Sequence, residues 1–282
     1  MTLRFGTVGS PIGTPKSGTP AAIAYARQIG LDALEIAWVR SVRISDESCA
    51  EIKAAAEQHD IRLSVHAPYY TNLNSQTANL MEKSDARLLA AARKGYLAGA
   101  TDIIFHPGSY HDQPPEQVYQ RIKGKLAEIV DILRAGGVTV TLRPETMGKS
   151  AMFGTLEEIV RLSREVDGVA PCIDVAHLHA RPGDGSFNAY DEFVAMFRHV
   201  EQELGPGALR TMHFHLSGIE YGPKGEKHHV ILEEADLNWH AFLKACVDCQ
   251  VSGALVGESP NLETDVLALQ QAYRAFVGPS TE

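Results

Sequence analysis

Cysteine is scarce: four residues in a chain of 282. Without a secretory N-terminus, that count excludes a disulfide scaffold and points to a reducing compartment. Cys246 and Cys249 have redox spacing, but they fall in a predicted helix with no second C-x-x-C, so core packing is the expected role. Long apolar runs are missing too. The longest are strand-sized, which leaves no candidate membrane span. The opening M-T-L-R-F-G-T-V enters a strand at once and shows no targeting segment, so the expectation is a soluble cytoplasmic protein. Basic charge is also in deficit, with 26 Lys and Arg against 35 Asp and Glu and a net charge of −9. A general nucleic-acid coat protein is thereby excluded, although an enzyme that grips a short DNA site is not. No G-x-S-x-G is present to support a serine hydrolase. The segment G-T-V-G-S-P-I-G lacks the G-x-G-x-x-G spacing, and no P-loop Lys follows it.

What is present is a repeated unit. Hydrophobic residues make up 44% of the chain, enough for a large single core. Apolar strand-like runs are predicted at 3–7, 33–38, 62–66, 102–106, 138–143, 170–174, 210–215 and 254–256. Helical patterns follow them near 20–29, 46–59, 84–97, 115–135, 156–165, 191–204, 239–249 and 262–276, with Thr19 as the expected cap of the first. Eight strand–helix units predict an α/β fold, a closed parallel (β/α)8 TIM barrel. No Pro/Gly/Ser-rich linker divides the chain, so residues 1–282 read as one domain.

The predicted strands stop at a particular kind of residue. V-A-P-C-I-D-V-A-H-L begins as a buried run and ends in Asp174 and His177, three apart, where the strand is expected to give way to a loop. R-L-S-V-H-A stops at His66, T-D-I-I-F-H-P-G at His106 and V-T-V-T-L-R-P-E-T at Glu145. L-R-T-M-H-F-H reaches His213 and His215, and A-L-V-G-E-S reaches Glu258. The loop G-P-K-G-E-K-H-H adds Glu226, His228 and His229. Taken singly, each has a plain reading, as a satisfied histidine, a turn cap or a solvated charged hairpin. Asp174 is the exception, because a carboxylate at the end of a buried strand needs a cation or a metal. Together they lie where a barrel builds its active site, at the C-terminal ends of the strands. Nitrogen and oxygen ligands without Cys suit Zn²⁺, Mn²⁺ or Fe²⁺.

In these motifs the chain resembles the endonuclease IV family of apurinic/apyrimidinic endonucleases, within the wider xylose-isomerase-like barrels. The likeness spans nearly the whole chain. It is carried by H-A-P-Y-Y-T-N-L, F-H-P-G-S, P-E-T-x-G, C-I-D-V-A-H, M-H-F-H, E-K-H-H and G-E-S-P, in that order. The resemblance implies a DNA-repair hydrolase with three metal ions, Zn²⁺ foremost. His66, His106 and Glu145 would hold the first. Glu145 would bridge to the second, held with Asp174, His213 and Glu258. His177, Glu226 and His228 would hold the third, with Glu226 where the family has Asp and His215 where it has Asn. A hydroxide generated on the ions would attack the phosphorus 5′ to an abasic sugar, with no protein nucleophile. Tyr69, Tyr70 and Asn72 fall on the loop that the family inserts into the gapped duplex, and Arg40, Arg43 and Lys149 are candidate phosphate contacts.

Two rival readings follow from the same residues. A divalent-metal sugar isomerase or epimerase on this barrel would use Glu145, Asp174, His213 and Glu258 for one ion and act on a small sugar. A non-catalytic homologue would bind metal or damaged DNA without cutting it.

Overall fold

The structure is a computed structural model that describes residues 2–278. Eight parallel strands form its centre: β1 (Leu3–Val8), β2 (Ala33–Ala37), β3 (Arg62–His66), β4 (Asp102–Phe105), β5 (Thr141–Pro144), β6 (Cys172–Asp174), β7 (Met212–Leu216) and β8 (Gly253–Gly257). The sheet runs β5-β4-β3-β2-β1-β8-β7-β6. Parallel bridges from Leu142 to Val169 and from Glu145 to Cys172 join its two ends and close the barrel. Both faces of each strand are covered, so these strands are apolar runs rather than alternating ones. The chain is a closed parallel (β/α)8 TIM barrel.

Around the barrel lie α1 (Thr19–Gln28), α2 (Asp46–His59), α3 (Ala78–Leu97), α4 (Pro115–Ala135), α5 (Leu156–Glu165), α6 (Val175–Ala180), α7 (Tyr190–Leu204), α8 (Trp239–Asp248) and α9 (Glu263–Val277). Local chemistry sets several starts. The Ser45 hydroxyl accepts from the Ser48 N–H to cap α2, and Thr155 with Glu158 forms a reciprocal capping box on α5. Thr19, expected as a cap, is instead the first residue of α1. Gly18 holds the cap position at φ 103°, a turn open to glycine, so the chain enters the helix one residue earlier. The helices dock through a continuous core. Phe214 of β7 meets Phe197 and Phe242 at ring separations of 6.0 and 5.3 Å. Truncating such a buried ring to Ala costs about 3–5 kcal/mol.

The lower mouth of the barrel is plugged by ion pairs. Arg143 donates to a carboxylate oxygen of Asp102 and to the carbonyls of Pro171 and Thr211, while Arg62 reaches the other Asp102 oxygen at 2.9 Å. These paired charges close the end opposite the strand C-termini. The ligand-capable side chains gather above, where the loops rise. There the chain adds α6 directly after Asp174, where a loop was expected, and an antiparallel hairpin of Gly218–Gly222 with Gly225–Val230.

Candidate metal centre

Glu145 sits at the centre of the upper face, 1% exposed, immediately after β5. Its Oε2 lies 3.3 Å from Nε2 of both His66 and His106, the last residue of β3 and the residue after β4. Its Oε1 lies 3.2 Å from His177 Nδ1 and 3.4 Å from His215 Nδ1. One carboxylate thus faces two separate sets of imidazoles. Its backbone is anchored on both sides, by an N–H donated to Phe105 and a bridge to Cys172.

Asp174 ends β6 and caps α6, its Oδ1 accepting from the His177 N–H at 2.7 Å. This is why the pair is spaced by three: the carboxylate that starts the helix and the imidazole on its first turn share one side. Asp174 Oδ2 is fully buried and accepts no hydrogen bond. Its nearest cationic group is His177 Nδ1 at 3.4 Å, and a dry carboxylate oxygen with no hydrogen bond is costly unless a full cation meets it.

The ligand-capable atoms group in four sets. Cys172, His213 and His215 lie one layer lower, and three sets are on the upper face: His66, His106 and Glu145; Glu145, Asp174, His215 and Glu258; and Asp174, His177 and His229. Glu226 joins the last, with Oε2 3.5 Å from His177 Nε2. Backbone carbonyls orient two of the rings. His66 Nδ1 donates to the Ala67 carbonyl at 2.8 Å and His177 Nδ1 to the Thr146 carbonyl at 2.9 Å, which leaves Nε2 of each as the lone-pair donor. The donors of the three upper sets are nitrogen and oxygen, with the Cys172 thiol below them, and the buried Asp174 Oδ2 lies among them. The residues present therefore fit divalent ions of the Zn²⁺, Mn²⁺ or Fe²⁺ class.

Electrostatics point the same way. Burial alone would raise Glu145, but the facing histidines, His106 foremost, hold it well below the usual carboxylate range. Burial would lower His66, His177 and His215, yet each is raised. Glu145 dominates at His66, Asp174 and Glu145 at His177, and Cys172, Glu35 and Glu258 at His215. The pocket is built for more positive charge than its neutral imidazoles supply.

A family model described as xylose isomerase-like TIM barrel matches residues 23–276. The chain belongs to that family. Within it, the chain is 38% identical over 271 residues to an uncharacterized protein of Methanocaldococcus jannaschii, covering 96% of this chain and 97% of that one. It is 28% identical over 170 residues to a probable endonuclease 4 of Staphylococcus carnosus, covering 58% of this chain and 55% of the relative. Among solved structures, endonuclease IV from Thermus thermophilus superposes with a TM-score of 0.75 at 23% identity, over 97% of this chain and 98% of that one. A D-tagatose 3-epimerase-like protein superposes with a TM-score of 0.73 at 16% identity, over 98% of each chain. Both likenesses are of fold.

Within this barrel, His66, His106, Glu145, Asp174, His177, Glu226 and Glu258 come together, and two expected ligands do not. His213 lies one layer lower on β7, in register with Cys172, and its Nε2 bonds Glu35 at 3.0 Å. His215, in register with Asp174, is the histidine of this strand that groups with Glu145, Asp174 and Glu258. His228 points to solvent and pairs with Glu220 at 3.4 Å. The cause is a bulge: Tyr221 pairs with Glu226 and Glu220 with His228, so Lys227 is an extra residue. Strand alternation shifts by one across it, and His229 rather than His228 shares the face of Glu226.

The outer candidates differ in placement. Tyr69 packs at a tilt beside His66 and His106, at ring separations of 5.0 and 5.3 Å, and lines a cleft of about 470 Å³ with Lys149, Glu226, His228 and His229. Tyr70 is 63% exposed beside it. Asn72 does not join the cleft lining; its Oδ1 accepts from the Asn74 N–H at 2.9 Å and shapes its own turn. Arg40 and Arg43 are exposed on the segment after β2. Among the described residues no helix is long and apolar enough to cross a membrane.

Proposed function

We propose that this barrel is a metal-dependent phosphodiesterase of the endonuclease IV type, cleaving DNA 5′ to an abasic site. The observation that carries the reading is Glu145, whose two oxygens face two different ligand sets while a third set stands beside them. These donors are more than one ion can use. The similarity to a probable endonuclease 4 adds support.

Bound divalent ions supply Lewis acidity toward a phosphodiester and lower the pKa of water from ~15.7 towards ~7. The chain's own residues do the rest. Glu145 fixes the spacing of two ligand sets, and Asp174 links the second to the third. The Tyr69 ring shields His66 and His106 from solvent at the cleft wall. Lys149 places a cation at the mouth, where a backbone phosphate would enter. Exposed Tyr70 is available to pack into the gap left by a missing base, where distortion of the duplex costs least.

The test is strand scission of a duplex carrying a single abasic site, with zinc content measured on the same protein. Chelator-sensitive nicking by protein holding two or three ions is expected. Protein that holds those ions and leaves the abasic strand intact would sink the reading. A second reading has its own support, since Glu145, Asp174, His215 and Glu258 alone could hold one ion and the 470 Å³ cleft admits a sugar. One ion per chain with interconversion of free ketoses would favour that epimerase.

A further inference from the structure

Below the ligand sets, inside the barrel, lies a group that the reaction outlined above does not use. Glu35 is mid-strand in β2 and fully buried. Its Oε1 accepts from His215 Nε2 at 3.0 Å, and its Oε2 accepts from His213 Nε2 at 3.0 Å and from the Ser64 hydroxyl at 2.7 Å. No Lys or Arg is among these partners. Asp102, a second buried acid below the ligand sets, differs in being matched by Arg143 and Arg62. An isolated anion in so dry a place is expensive, and a well-packed apolar residue would serve stability as well or better.

We propose that Glu35 is the positioning residue of the second ligand set, fixing the His215 proton on Nε2 so that Nδ1 is the nitrogen offered to the ion. The reasoning is one of hydrogen count. A carboxylate has no proton to give, so both imidazoles that face it must carry theirs on Nε2. His215 Nδ1 is then a lone pair, and it points between Glu145 Oε1 at 3.4 Å and Glu258 Oε1 at 3.5 Å. A lone pair aimed at two carboxylates is an arrangement that only a cation or a proton satisfies. His66 and His177 have their rings set by backbone carbonyls. His215 alone of the three is set by a charged group, which makes its nitrogen the more basic donor. His213 completes the clamp from the other side, and its Nδ1, buried without a partner, is the lone pair that the same tautomer leaves over.

The inference deepens the metal-centre reading but is independent of which substrate the enzyme takes. Its test uses zinc ions alone, by equilibrium dialysis, with ¹⁵N-histidine NMR of the zinc-loaded protein. Glu35→Gln offers one acceptor and one donor, so it cannot accept from both imidazoles. It is expected to lose ~10–100-fold in affinity for one ion, while the ion at His66 and His106 stays. Ser64→Ala keeps both imidazole bonds and should lose less. In the parent, His215 should show a protonated Nε2 and a zinc-shifted Nδ1, a readout that decides alone if Glu35→Gln does not fold. An Nδ1–H form of His215, or unchanged uptake of every ion by Glu35→Gln, overturns the clamp alone. A parent that takes up no ion overturns the metal-centre reading and the clamp with it.

Discussion

His229 Nε2 faces His177 Nε2 at 3.4 Å, and Glu226 Oε2 lies 3.5 Å from the same His177 atom. Two ring nitrogens cannot meet as lone pairs, and the His177 proton is already committed to the Thr146 carbonyl. A proton shared between the rings or an ion between them resolves the contact. If the ion is there, His229→Ala should remove one ion from the protein, whereas His228 pairs with Glu220 instead and His228→Ala should leave metal content unchanged. Metal analysis of both variants beside the parent checks this. Loss of an ion from His228→Ala with none lost from His229→Ala would restore the assignment suggested by simple strand alternation.

Glu145→Gln should reduce strand scission by at least about 10²–10³-fold, the scale of losing one preorganised electrostatic contact. It should also weaken two ions at once, because one oxygen faces His66 and His106 and the other faces His215. Removing Glu258 affects only the sets that it faces through His215 and His229. Dialysis with limiting zinc separates the two patterns. Weakening of a single ion in Glu145→Gln would remove the bridging role.

Acidity should act in opposite directions on the metal-free and zinc-loaded protein. His66, His177 and His215 are raised above the ordinary 6.5 because carboxylates face them. Their contribution to stability is full below that value and is lost as pH rises through their raised folded values. Zinc needs the same nitrogens unprotonated, so its affinity falls as pH drops. Chelated protein should thus lose thermal midpoint above neutrality, and added zinc should restore most where that loss is greatest. Melting curves with and without chelator across mildly acidic to alkaline buffers measure it. A midpoint that rises with pH in the chelated protein would contradict the assignment.

The barrel was legible because its eight strands are short apolar runs that alternate with helical patterns, and five of the candidate ligands, His66, His106, Glu145, Asp174 and Glu258, could be singled out because they stand at strand ends. The failures have local causes. His213 and His215 share one strand face about 6.6 Å apart, two strand rises, and a one-layer choice between them cannot be made from spacing. Only the register of His215 with Asp174 makes it. His229 was hidden by the bulge at Lys227, a backbone irregularity with no signature in E-K-H-H. Glu35 lies inside A-L-E-I-A rather than at its end, so the rule that found the other acids passed over it. An acid in the middle of a buried run was the available signal.

Gly148 gives a way to separate the third ligand set from the barrel itself. The hairpin that carries Glu226 and His229 docks on the segment after Glu145 through a Lys149–Gly225 bridge, with the Glu226 N–H donating to the Gly148 carbonyl at 3.0 Å. A Cβ added at Gly148 would lie 2.8 Å from Glu226 Cβ and 2.9 Å from His177 Cδ2. Neither atom is the end of a flexible chain, so the hairpin must shift outward. Overpacking of this kind costs about 1–3 kcal/mol, which a barrel with so continuous a core should survive. Gly148→Ala is therefore expected to fold, keep the ion at His66, His106 and Glu145, and lose the one at His177, Glu226 and His229. Scission should fall while the thermal midpoint of the chelated protein drops by only a few degrees. Retention of every ion by a folded Gly148→Ala would show that this third set does not depend on the docked hairpin.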